Sequence, residues 1–145
     1  MNHPTVRQAT RVDLTGIEQL LESASLPTLG VSEHIRHFLV AEMEGEIAGA
    51  IGLEVYGETA LLRSAVVASG LQRTGIGGLL YAQIVEQAKR LAVQRLILLT
   101  NTAEKYFERK GFKKIDQKSV TGPITSSVEF TGACPSHVAC MELLL

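Results

Sequence analysis

Along this chain, stretches whose apolar residues recur every three to four positions alternate with stretches whose apolar residues run together, and that alternation predicts the elements. Thr5 to Ala9 reads as a short strand. Asp13 is then placed to cap a helix with apolar residues at Leu14, Ile17, Leu20, Leu21 and Ala24, the spacing of a helix buried on one side. Pro27 and Gly30 end it in a loop, and Ser32-Glu33 starts a second, short helix. Phe38 to Glu42 and Ile47 to Tyr56 read as strands joined by a tight turn at Glu44-Gly45. Beyond Gly57-Glu58, the segment Ala60 to Val67 (ALLRSAVV) is apolar on both faces except at Arg63 and Ser64, the pattern of a central strand.

From Gly75 to Ala92 the positions Ile76, Leu79, Leu80, Ile84, Val85, Ala88 and Leu91 follow a helical period, which predicts a helix of about four to five turns. Leu96 to Leu99 reads as a buried strand and Ala103 to Lys110 as a short helix stopped by Gly111. Val128 to Phe130 and Val138 to Leu144 read as two closing strands. The order predicts an α/β (α+β) fold, a mixed sheet with helices on both faces. With no repeat and no linker in 145 residues, one domain over 1–145 is expected.

Composition adds exclusions. The chain carries 14 Lys and Arg against 15 Asp and Glu, so it has no electrostatic footprint for nucleic acid or an anionic membrane. Met1 to Asp13 carries charges and lacks an apolar signal core, and no run reaches the roughly 18 apolar residues of a membrane span. A cytoplasmic protein, monomer or homodimer, is expected. Its two cysteines, Cys134 and Cys140, are then reduced. With His137 they read Cys-x-x-His-x-x-Cys, but residues three apart on a strand face opposite sides and a closed zinc site needs a fourth ligand, so no metal is expected.

The most informative segment runs from Val66 to Leu80: a strand, a turn and a glycine-rich helix start. Unpaired N–H groups and the positive end of the helix dipole make such a junction an anion site, and glycines let a phosphate approach the main chain. A pyrophosphate fits there, assisted by Arg73. A dinucleotide fingerprint would need glycine where Leu80 stands, and a Walker loop would need Gly-Lys-Ser/Thr, which is absent.

Gln72-x-x-Gly75-x-Gly77, entered from ALLRSAVV, resembles the coenzyme A loop of the GNAT acetyltransferases. Ala103 to Phe112 is similar to that family's Asn-x-x-Ala-x-x-x-Tyr-x-x-x-Gly-Phe helix and turn. More narrowly, LRSAVV, LLTNTAEKYF and SSVEFTGACPSHVACM resemble the branch encoded beside arsenic-resistance genes.

The resemblance implies the GNAT fold, with a mostly antiparallel sheet, and transfer of acetyl from acetyl-coenzyme A to a primary amine of a small molecule. For the narrower branch that molecule would be an amino-acid-like or arsenic-bearing toxicant. It places the cofactor on Val66, Val67, Gln72, Arg73, Thr74, Gly75, Ile76, Gly77, Gly78, Thr100, Ala103 and Phe107, with the Val66 backbone as oxyanion donor. Two positions depart from the family. Phe107 stands where a tyrosine usually protonates the leaving thiolate, and Tyr106, a weak acid candidate, is one residue early, about 100 degrees around the helix. Thr100 stands where Asn is common. The missing acid is tolerable, because a thiol of pKa about 8.5 leaves readily near neutrality; a coenzyme A-binding regulatory module without turnover is the alternative it leaves open.

Arg63 and Ser64 are candidates for acceptor contact, Arg63 through a substrate carboxylate or, more blandly, in a pair with Glu54. Glu54 is a possible base or else part of a solvated face. Leu29, in the loop 26–31, and Cys134 are expected to wall the acceptor pocket; His34 and His37 are expected to face solvent.

Overall fold

The computed structural model describes residues 3–133 and 138–145. Seven strands form one sheet in the order β1-β2-β3-β4-β5-β7-β6: β1 Thr5–Gln8, β2 Phe38–Met43, β3 Glu46–Tyr56, β4 Thr59–Val67, β5 Arg95–Thr100, β6 Lys113–Ile115 and β7 Ala139–Leu144. Every neighbouring pair is antiparallel except β4 and β5. The parallel pair needs a crossover, and α3, Ile76–Arg90, supplies it. Helices α1 (Leu14–Ser23) and α2 (Val31–His34) lie on one face, and α3 packs on the other with α4 (Glu104–Arg109) beside it.

Strand alternation sorts the core into those two layers. Leu39, Ala41, Ile51 and Leu53 meet Ile76, Leu80, Ile84 and Ala88 of α3, whereas Phe38, Val40 and Ala50 meet Ile17 and Leu21 of α1. One strand breaks the rule. Leu62 faces α3, yet Val66, an even number of residues later, faces α1. The cause is a β-bulge: Gly52 pairs with Arg63 and Ala50 with Val66, so Ser64 and Ala65 together oppose Ile51, and Ser64 takes a φ of 59°.

Three local expectations change. Val128 to Phe130 is not a strand: the carbonyl of Ser127 accepts from the N–H groups of Phe130 and Thr131 and winds the chain into a helical turn over Glu129–Ala133. The seventh strand is instead Lys113–Ile115, too polar to show as an apolar run because it is a largely exposed edge. Asp13 does not cap α1 through its side chain; a 3-10 turn, Arg11–Asp13, precedes the helix. The carboxylate accepts from Thr10 N–H at 2.7 Å and from both terminal nitrogens of Arg7 at 2.8 Å.

These bonds, chiefly that from Arg7, outweigh burial and hold the Asp13 pKa at about 2 instead of 3.8. A depressed carboxylate contributes stability above its unfolded pKa and loses it as pH falls through the folded value. Thermal melts of Asp13→Asn should therefore show the variant weaker than wild type at neutral pH, with the gap closing as pH falls from 4 towards 2; a gap independent of pH would contradict the pair.

Among the described residues no helix is long and apolar enough to cross a membrane, and no group of three His, Cys, Asp or Glu side chains could hold a metal. Cys140 is a buried free thiol. Cys134 and His137 lie outside the described residues.

Candidate active site

β4 and β5 are paired only from Thr59 to Leu61 and from Arg95 to Ile97, after which they diverge. The bulge at Ser64 and Ala65 follows shortly after the point where pairing stops. The resulting cleft, about 1040 Å³, runs through the sheet. On the α3 side it is lined by Gln72, Arg73, Gly75, Gly77 and Gly78, with Thr100, Ala103, Tyr106 and Phe107 opposite; on the α1 side by Leu26, Pro27, Arg63, Ser64 and Glu129.

The glycines form an open cradle. A Cβ added at Gly75 or Gly78 would meet nothing within 4 Å, and one at Gly77 only Val67 Cγ2 at 3.6 Å. Gly75 caps the helix at a φ of 91°, a left-handed conformation that glycine adopts without cost. The first N–H groups of α3 have no partner within the helix, and at the edge of the cleft they suit an anion. Arg73, also at positive φ, lines the same end. Two residues assigned to the cofactor do not line the cleft: the Thr74 hydroxyl donates to the Leu71 carbonyl and shapes the loop, and the Ile76 side chain is in the core.

Register decides which peptide groups the open edge of β4 presents. Ala68 N–H donates to the Ala48 carbonyl at 2.8 Å, and ladder alternation turns Val66 towards β3 as well. Consistently, a Cβ on Gly49 would sit 2.9 Å from the Val66 carbonyl oxygen. The N–H of Val67 points into the cleft, and Gln72 Nε2 lies 3.5 Å from its carbonyl. The Val66 backbone therefore cannot be the oxyanion donor expected from the sequence; its N–H belongs to the sheet.

Opposite the glycines, the Phe107 ring is buried against Tyr106, Phe112 and Tyr81, with centroids 5.1, 5.4 and 6.3 Å away. Tyr106 borders the same cleft although it is 100 degrees around the helix, because the cleft is wide enough to take in both positions. Burial raises the pKa of Tyr106, and Arg109 opposes the shift. Thr100 Oγ accepts from Ala103 N–H at 3.0 Å and so fixes the turn into α4. Tyr81 and Lys110 were not legible as lining residues, although Tyr81 follows Gly77, and Lys110 follows Tyr106, by one helical turn; the Lys110 ammonium sits 5.3 and 5.5 Å from the two tyrosine rings.

At the α1 end the charges are buried. Arg63, with a side chain 0% exposed, donates to Glu54 Oε2 at 2.7 Å, to Ser64 Oγ at 2.9 Å and to the Pro27 carbonyl at 3.3 Å, and its Nε lies 3.2 Å from Glu129 Oε2. Its guanidinium is thus held by protein groups, while the residue also lines the cleft. Glu54 is on no solvated face: it is fully buried and does not line the cleft. Burial works against its charge, but hydrogen bonds from Tyr56, Ser127 and Arg63 prevail and lower its pKa. Such a carboxylate is a poor base. His34, expected in solvent, is half-buried with Nε2 3.7 Å from Glu54; burial, then Arg36 and His34, lowers the pKa of His37. Leu29 is 64% exposed and away from the cleft; Leu26 and Pro27 are the wall.

The family model of the acetyltransferase (GNAT) domain matches residues 15–125. This chain belongs to the GNAT acetyltransferases. An amino-acid acetyltransferase of Mycobacterium tuberculosis is 29% identical over 83% of this GNAT chain and 75% of its own. An uncharacterised N-acetyltransferase of Chlorobaculum tepidum is 26% identical over 97% and 93%. Among solved structures, a Mycobacterium tuberculosis protein in complex with CoA superimposes with a TM-score of 0.81 at 24% identity, over 97% of this chain and 99% of its own. N-acetylglutamate synthase of Neisseria gonorrhoeae, complexed with coenzyme A and N-acetyl-glutamate, gives 0.83 at 21% identity, over 99% of this chain but 35% of its own. This GNAT domain is an acetyl-coenzyme A-dependent N-acetyltransferase with no metal cluster among its described residues.

Tyr106 and Phe107 set a prediction. If no acid is needed, Tyr106→Phe and Phe107→Tyr should each change kcat by less than the ~10² that a positioned acid typically supplies. A loss of that size in Tyr106→Phe would identify Tyr106 as the acid.

Proposed function

We propose that this enzyme acetylates the primary amine of a small amino-acid-like molecule that enters from the α1 side. One observation carries the reading: the cleft joins an anion cradle at the start of α3 to a closed, charged end at Arg63 and Glu129, and β4 crosses between them. Acetyl-coenzyme A, when bound, supplies the thioester whose carbonyl carbon the amine attacks, releasing the thiol. The α3 N-terminus and Arg73 hold its pyrophosphate; the Val67 N–H donates to its carbonyl oxygen, where negative charge develops. Leu26 and Pro27 exclude water from the amine.

The relatives named amino-acid acetyltransferases support the substrate class. An arsenic-bearing amino-acid analogue is the narrower proposal, supported by the resemblance of segments such as LRSAVV and LLTNTAEKYF. Thiol release from acetyl-coenzyme A, screened against α-amino acids, arsinic and phosphinic amino-acid analogues, aminoglycosides and peptide N-termini, tests both. Turnover confined to the amino-acid classes is expected; turnover only with peptides or aminoglycosides would refute the class, and an inactive arsinic analogue would refute the narrower reading.

A further inference from the structure

On the α3 side of the cleft, two tyrosines seat one lysine. Tyr81 stands one helical turn beyond Gly77, about 6 Å along the axis of α3, and Tyr106 borders the cleft from α4. The Lys110 ammonium lies 5.3 Å from the centroid of the Tyr81 ring and 5.5 Å from that of Tyr106. Both distances fall within the about 6 Å of a cation–π contact, so the rings seat the ammonium at the cleft without neutralising it. Burial raises the pKa of both phenols, so near neutral pH neither ring brings a compensating negative charge.

None of the ion pairs among the described residues includes Lys110. On the α3 side, no acidic side chain is among the described residues that line the cleft. Arg73, on the loop before α3, is the other lining cation there, whereas Arg63 lies across β4 in its pair with Glu54. Two separate cations match the chemistry of the cosubstrate. Coenzyme A carries a pyrophosphate in mid-chain and a further phosphate on the 3′ position of its ribose, one sugar ring away. With the pyrophosphate on the start of α3 and Arg73, the 3′-phosphate comes within a sugar's width of that helix start, and Lys110 lies over a ring only one turn further along.

We infer that Lys110, seated on Tyr81 and Tyr106, binds the ribose 3′-phosphate of coenzyme A and makes this enzyme select coenzyme A over dephospho-coenzyme A. The inference rests on the pyrophosphate site proposed at the start of α3. A lysine meets a phosphate as a point charge, so an arginine can replace its charge here. The two rings lower the ordering cost, because a side chain already seated loses less rotamer freedom when the phosphate arrives. Lys110 is exposed, so salt weakens the contact.

Calorimetry with coenzyme A and with dephospho-coenzyme A reads this contact without any acceptor. Wild-type protein should bind coenzyme A about tenfold more tightly at low salt, the order of one charge pair at a partly hydrated site, and the preference should shrink as ionic strength rises. Lys110→Gln should remove most of the preference by weakening coenzyme A, with a far smaller effect on dephospho-coenzyme A; Lys110→Arg should keep most of it. Melting temperatures separate misfolding from altered selection, and the wild-type comparison needs no variant. Equal wild-type affinities for the two ligands, or the same loss for both in a folded Lys110→Gln, would overturn the role of Lys110 while sparing the pyrophosphate site. Near wild-type binding of both ligands by a folded Gly77→Glu would overturn the pyrophosphate site and the inference with it.

Discussion

Replacing Gly77 with glutamate is expected to abolish acetyl-coenzyme A binding in a protein that still folds. A Cβ at Gly77 would make only an ordinary contact with Val67 Cγ2, and its backbone is not in the left-handed region, so nothing in the packing opposes a side chain there. The position is the second residue of α3, where a carboxylate is favoured by the helix dipole. The variant should therefore melt near the wild-type temperature. That same dipole is what attracts the cofactor's phosphates, and an internal carboxylate would both occupy their place and repel them. Calorimetry should show affinity reduced by about 100-fold or more, the order of like charges brought together in a poorly hydrated site. Near wild-type affinity in a folded variant would move the phosphate site elsewhere.

Arg63→Met should have the largest effect on stability. It leaves Glu54 and Glu129 buried without their shared cation, and breaking a buried pair by removing one partner costs about 3–5 kcal/mol. For a domain of this size that corresponds to a fall in melting temperature of roughly 10 °C or more. The pH dependence carries the sign. In the wild type the depressed Glu54 pKa gives stability above the unfolded value and loses it on acidification. In the variant, burial without Arg63 raises the carboxylate pKa values, so the folded state is favoured below the unfolded value and weakened as pH rises through the folded one. The gap between the two proteins should narrow as the pH falls from neutrality towards the ordinary carboxylate range, and Glu54→Gln should rescue part of the loss. A small, pH-independent change would mean that the cluster is hydrated and open.

The sheet's layering and the glycine cradle were readable because each depends on local pattern: period two in β2 and β3, period 3.6 in α3, and glycines at its start. The bulge was not. Nothing local in LRSAVV marks Ser64 as the residue at positive φ, and a one-residue slip exchanges the peptide groups that face the cleft, which is why Val67 and not Val66 presents its N–H there. Glu129 escaped for a different reason. Its segment, SSVEF, has the composition of a strand, and its carboxylate meets Arg63, 66 positions away in the chain. Leu29 illustrates the opposite error: an apolar residue in a pocket-forming loop that points outward while Leu26 and Pro27 make the wall.

The measurement that bears most directly on the central claim is a crystal structure of this protein with coenzyme A. The account predicts the pyrophosphate on the N–H groups at the start of α3, the pantetheine arm between the diverging ends of β4 and β5, and the sulfur beside the Val67 N–H, facing the end of the cleft that holds Glu129. Coenzyme A bound outside the divergence of β4 and β5, or with its sulfur turned away from β4, would contradict it.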